Sequence, residues 1–92
     1  MNIKPLKEHI APMTKEQYEA KMKYAYDQAN NIMMHIVCYG QTLHINGEQY
    51  SWNGSHQRIL LQTERGCNEI SCADAFYAFR FYALEEKEYR FR

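Results

Sequence analysis

The stretch from Gln41 to Thr63, QTLHINGEQYSWNGSHQRILLQT, holds two Asn-Gly pairs, at 46–47 and 53–54. Asn-Gly readily takes the positive φ angles of a type I′ turn, so each pair reads as a hairpin loop between strands. With Asn46 and Gly47 as loop residues, Ile45 faces Glu48, Leu43 faces Tyr50 and Gln41 faces Trp52. Side chains alternate along a strand, which gathers Leu43, Ile45, Tyr50 and Trp52 on one side. The run HQRILLQT, 56–63, supplies a third strand. The reading is a three-stranded antiparallel β-meander over 41–63 whose apolar face needs helical cover.

That cover is encoded on both sides. Thr14 and Gln17 fit the capping box, in which each side chain satisfies a backbone N–H of the other residue. Tyr18, Met22, Ala25, Ala29, Ile32 and Ile36 follow at steps of four and three, one stripe down a helix over 14–39 that Gly40 stops. A rival reading ends the helix at Asn30 and makes IMMHIVCY a strand, since Asn30 and Asn31 are poor helix-interior residues and Ile36-Val37 favours a sheet. Downstream, ERGCNEI reads as a loop, and Ser71 with Asp74 begins a second helix over 71–88. Within it Phe76, Phe79, Tyr82 and Ala83 face the sheet, while Tyr77, Phe81 and Leu84 form a second side that needs burial by the first helix or by self-association. Pro5 and Pro12 make residues 1–13 an extended lead-in. The expectation is a single α+β domain over 1–92, two helices on the meander in the order α-β-β-β-α.

Composition narrows the function. With 92 residues, 46% of them apolar or aromatic and 24% charged, the chain closes one core and lies outside the disordered class. Eleven Lys and Arg balance eleven Asp and Glu, so no long-range field draws free DNA, RNA or an anionic lipid surface, and no acidic surplus imitates a phosphate backbone. Three cysteines at irregular spacing suit free thiols in a cytoplasm, with Cys38 and Cys72 as small core residues and Cys67 at the surface. No apolar run is long enough to span a membrane. His9, His35, His44 and His56 with Cys67 and Cys72 match no zinc spacing; His44 and His56 read as polar positions on the open face of the meander. There is no phosphate-cradling Gly-rich loop and no nucleophile elbow, which leaves a small enzyme using Cys67 or a His as the weakest class. No metal, no cofactor and no catalysis is therefore expected.

Contact residues are sought among isolated cations and aromatics. EKEYRFR, 86–92, alternates them, so Tyr89 and Phe91 could stack bases while Arg90 and Arg92 reach phosphates; equally, cations near a helix C-terminus complement its dipole. Lys21 and Lys23 on the first helix, Trp52, and Arg58 on the third strand complete the candidate set of Lys21, Lys23, Trp52, Arg58, Tyr89, Arg90 and Arg92.

The α-β-β-β-α order resembles that of double-stranded RNA-binding domains, with SCADAFYAFRFYAL, 71–84, where their second helix begins. Those domains resemble one another in a Lys-rich start to that helix, where this chain has Cys72, Ala73 and Asp74. In size, charge neutrality, Tyr and Met content and lack of motifs, the whole chain resembles the small phage-encoded anti-CRISPR proteins. That resemblance implies a stoichiometric binder in the cytoplasm of an infected bacterium. It would occupy the protein or guide-RNA surface of a multi-subunit type I CRISPR-Cas complex and block target DNA hybridisation. The alternative is a small RNA-binding or regulatory module.

Overall fold

The computed structural model describes residues 14–92, so the expected lead-in at 1–13 lies outside the described residues. Thr14 Oγ1 accepts the Gln17 N–H at 3.1 Å and Gln17 Oε1 accepts the Thr14 N–H at 3.0 Å, the reciprocal cap that starts α1, Lys15–Val37. The helix runs through Asn30 and Asn31, which are exposed, because Ala25, Ala29, Ile32 and Ile36 are buried on one stripe. Tertiary burial of that stripe outweighs the poor local propensity that favoured a strand. The helix ends at Val37 rather than at 39. Gly40 at φ 67° turns the chain, and the Gln41 N–H returns to the His35 carbonyl at 3.0 Å.

Asn46 at φ 52° and Gly47 at φ 76° form the expected left-handed pair between β1, Leu43–Ile45, and β2, Glu48–Asn53. The register sets Leu43 opposite Tyr50 and Ile45 opposite Glu48, as read from the sequence. Gln41 and Trp52 do not pair, because Gln41 is still tied to α1 and β1 begins at Leu43. The second Asn-Gly works differently from its expected turn. Asn53 ends β2 and its Oδ1 accepts the Ser55 and His56 N–H groups, while Gln57 at φ 53° takes the left-handed position before β3, Arg58–Thr63.

Two further strands correct the three-stranded meander. Residues expected as a loop form β4, Gly66–Ile70, antiparallel to β3 with Leu61 opposite Asn68. Its turn at Glu64–Arg65 is held by Thr63 Oγ1, which accepts the Arg65 N–H at 3.1 Å. The second helix, α2, is Cys72–Leu84, capped by Ser71 Oγ accepting the Asp74 N–H at 3.1 Å. It stops short of 88 because Glu86 takes φ 54°, with Lys87 N–H on the Tyr82 carbonyl at 3.0 Å and Glu86 N–H on the Ala83 carbonyl at 3.1 Å. The residues expected to continue that helix become β5, Tyr89–Phe91, which pairs with β1. The sheet order is β4-β3-β2-β1-β5, and a strand after α2 removes the likeness to the double-stranded RNA-binding order.

One core lies between the sheet and the two helices. Leu43, Ile45, Tyr50 and Ile59 meet Ala29, Ile32 and Ile36 of α1 and Ala75 and Phe79 of α2. Phe79 is fully buried, edge-on to Tyr50 at a centroid distance of 5.0 Å, and Phe76 meets Tyr26 of α1 edge-on at 5.2 Å. Glu48 Oε1 accepts two phenols, from Tyr82 at 2.7 Å and from Tyr50 at 3.1 Å, tying β2 to α2. Burial, then Tyr82 and Glu48, push the Tyr50 phenol well above its usual range, so it stays a donor. Two expectations fail at the surface: α1 does not cover the second side of α2, which leaves self-association as its expected cover, and Cys38 is not a core residue. Tyr77 and Phe81 are 71% and 51% exposed, uncovered by α1, and Cys38 is exposed beyond the end of α1.

Phe79→Ala should therefore cost about 3 kcal/mol or more in denaturant unfolding, whereas Phe81→Ala should cost less than about 1 kcal/mol. A larger loss from Phe81→Ala than from Phe79→Ala would show that the α2 faces are assigned the wrong way round. Gly47→Ala meets no atom within 4 Å yet must keep φ 76°, so it should lose roughly 1 kcal/mol from backbone strain alone.

Candidate functional site: the open face of the sheet

Both helices cover one face of the sheet, so the alternate residues of every strand stand on the other. The registers align Cys67, Gln62, Gln49, His44 and Arg90 in one row across all five strands. A second row holds Glu69, Leu60 and Ser51, and Asn53 faces Arg58 beyond it. Apart from half-buried Leu60, this surface is polar, as a sheet with one solvated face requires.

Charge gathers at its two ends. At the β5 side, His44 stands directly opposite Arg90, and Thr42 and Arg92 exchange paired backbone hydrogen bonds of 2.9 Å one step further along. Partial desolvation, then the charges of Arg92 and Arg90, hold the His44 imidazole below its ordinary pKa. An open groove runs beside it, lined by His44, Gln49 and Arg90 with Glu48 and Glu88 towards the turn. At the other end His56 Nδ1 donates to Glu69 Oε2 at 2.7 Å and Asn53 Nδ2 donates to the same oxygen at 2.7 Å. The His56 hydrogen bond above all, with that of Asn53 and the nearby Arg58 charge, draws the Glu69 carboxyl below its ordinary pKa.

The seven residues expected to make contacts are divided by the fold. Arg58, Arg90 and Arg92 are exposed and share the open face, as strand alternation places them. Trp52 lies opposite Ile59 on the inner face and packs against the core, because the register that buries Tyr50 carries Trp52 with it. Tyr89 flanks the core side, its hydroxyl donating to Gln28 of α1 at 3.3 Å and its ring edge-on to Phe91 at 5.6 Å. Phe91 in turn stacks on His35 at 4.4 Å. Lys21 and Lys23 belong to α1, on the far side of the sheet, and Lys23 pairs with Asp27 at 2.9 Å. The set thus yields one shared surface of three arginines, with Tyr89 and Trp52 tying elements together.

Two participants escaped the sequence reading as contacts. His44 was legible as an open-face residue, but its place beside Arg90 needed the unforeseen β5. Glu69 lay in a segment read as loop, so its bridge to Asn53 and His56 had no strand to stand on. Among the described residues no group of three His, Cys, Asp or Glu side chains could hold a metal ion, and no helix is long and apolar enough to cross a membrane. Cys67 is exposed on β4 and Cys72 half-buried at the start of α2.

Comparison of the chain with protein-family models, with curated proteins and with solved structures gives no match.

A carboxyl whose folded pKa is depressed contributes stability above its unfolded pKa and loses it as pH falls through the folded one. Glu69 should therefore titrate below the ordinary 4.5 when followed by carboxyl NMR, and His56→Ala should move its midpoint upward. An identical midpoint in the two proteins would remove the His56–Glu69 bridge from solution.

Proposed function

We propose that the protein is a non-catalytic binder that uses the open face of its sheet to occupy a protein or guide-RNA surface. The target is a multi-subunit type I CRISPR-Cas complex in the cytoplasm of an infected bacterium, where the bound protein blocks target DNA hybridisation. The observation that carries this reading is the bare face itself: Arg58, Arg90 and Arg92 stand on it, while the helices and their core occupy the other side. Arginines on a flat polar surface anchor interfaces through forked hydrogen bonds without requiring a net positive molecule. Zero net charge fits a target that is an assembled complex, because it supplies no surplus to neutralise the phosphates of free duplex DNA. The resemblance in size, charge neutrality and composition to small anti-CRISPR proteins supports the choice of complex.

Charge reversal at Arg58 or Arg90 should weaken inhibition by about tenfold or more while leaving thermal unfolding within a few degrees, since rim charges serve association more than folding. The assay is target-DNA binding by purified type I complex, with and without the protein. Undiminished DNA binding and cleavage across several such complexes at excess protein would overturn the inhibitor reading. Tight, salt-sensitive binding to free RNA would put an RNA-binding module in its place.

A further inference from the structure

His44, Arg90 and Arg92 share the open face, and among the described residues none of the three forms an ion pair with a carboxylate. His44 and Arg90 are directly opposed across the β1–β5 pair, a placement in which two positive groups repel. Arg92 is two residues on from Arg90, so its side chain leaves on the same side of the strand. Among the described residues the ion pairs join Lys23 to Asp27 and His56 to Glu69, and neither includes Arg90 or Arg92. Two carboxylates, Glu48 and Glu88, line the same groove on its turn side. Glu48 Oε1 there accepts the Tyr50 and Tyr82 hydroxyls, and Glu88 precedes β5. Gln49, opposite His44 on the β2 side, adds a side-chain amide to the same groove.

Two guanidinium groups, an imidazole and an amide, supplied by three adjacent strands, stand side by side on one face. That suits a tetrahedral phosphate group, whose oxygens do not lie in one plane, better than a planar carboxylate. We infer that His44, Gln49, Arg90 and Arg92 form a phosphate-binding site, whose occupant in the working protein is a phosphodiester of an RNA backbone. This deepens the reading of the open face as a guide-RNA contact and rests on it for the choice of RNA. His44 has a distinct part. In the free protein partial desolvation and then the charges of Arg92 and Arg90 oppose its protonation, and a bound anion offsets them, so the imidazole takes up a proton as phosphate arrives.

The test is NMR titration of the full chain, following the His44 ring against pH in chloride, in inorganic phosphate at matched ionic strength, and with a short single-stranded oligouridylate. Phosphate and the oligonucleotide should each raise the His44 midpoint beyond the effect of chloride. Arg90→Gln should raise it without ligand and weaken phosphate binding by about tenfold. Unchanged amide signals from Ile45 and Phe91 would show that β5 stays paired in the variant. Tighter binding of the oligonucleotide than of phosphate supports the RNA backbone as the source; equal affinities overturn that choice in favour of a free phosphate. A His44 midpoint that moves with neither overturns the site. Oligonucleotide binding at His44 without inhibition of any CRISPR-Cas complex would leave the site standing and remove the inhibitor, whereas inhibition undiminished in Arg90→Gln would do the reverse.

Discussion

The two-residue turn at Asn46–Gly47 fixes which way the sheet faces. Because both residues hold left-handed angles, Leu43 must meet Tyr50 and Ile45 must meet Glu48, and no other register closes so short a loop. A slip of one residue would put Leu43 and Ile45 on the side of Gln49 and Ser51 and Tyr50 on that of His44, so one strand or the other would turn its apolar residues to solvent. Glu48 follows from the same constraint. It lies on the helix side, where a carboxylate needs partners, and the hydroxyls of Tyr50 and Tyr82 supply them. The register thus sets the core, the link between β2 and α2, and the composition of the uncovered face.

Much of this was legible because the responsible signals are local. The Thr14–Gln17 cap, the Ala25 to Ile36 stripe, the first Asn-Gly and the Ser71 cap each concern residues within a turn or two of one another. Even the doubtful passage through Asn30 and Asn31 was decided by a stripe already visible on both sides of it.

The two missed strands lack such signals, for different reasons. In β4, Cys67, Asn68 and Glu69 are all exposed and Ile70 alone is apolar and partly buried, so an edge strand made chiefly of backbone hydrogen bonds left almost no hydrophobic pattern. In β5 the concealment lies in the turn before it. Glu86 occupies a left-handed position that usually calls for Gly or Asn, and LEEKE otherwise reads as continuing helix. The candidate site suffered accordingly. Arg58 was correctly set on the sheet, but the grouping of Arg90 and Arg92 with His44 depends on a strand pair that no short-range pattern announces. Trp52 was placed on the inner side by its own alternation, and its aromatic size made it look like a contact when the register had already assigned it to packing.

The position of β5 also has a kinetic side. Strands β1 to β4 pair with their neighbours in sequence, so each ladder closes a short loop, whereas Leu43 meets Phe91 only after the intervening strands and α2 have been accommodated. That order makes β5 the late arrival in assembly and, being three residues long, a segment able to detach while the four-strand core persists. Arg90 and Arg92 travel with it. The cationic end of the open face therefore depends on the pairing of this last strand with β1. Anything that grips those arginines together with His44 also fastens the strand.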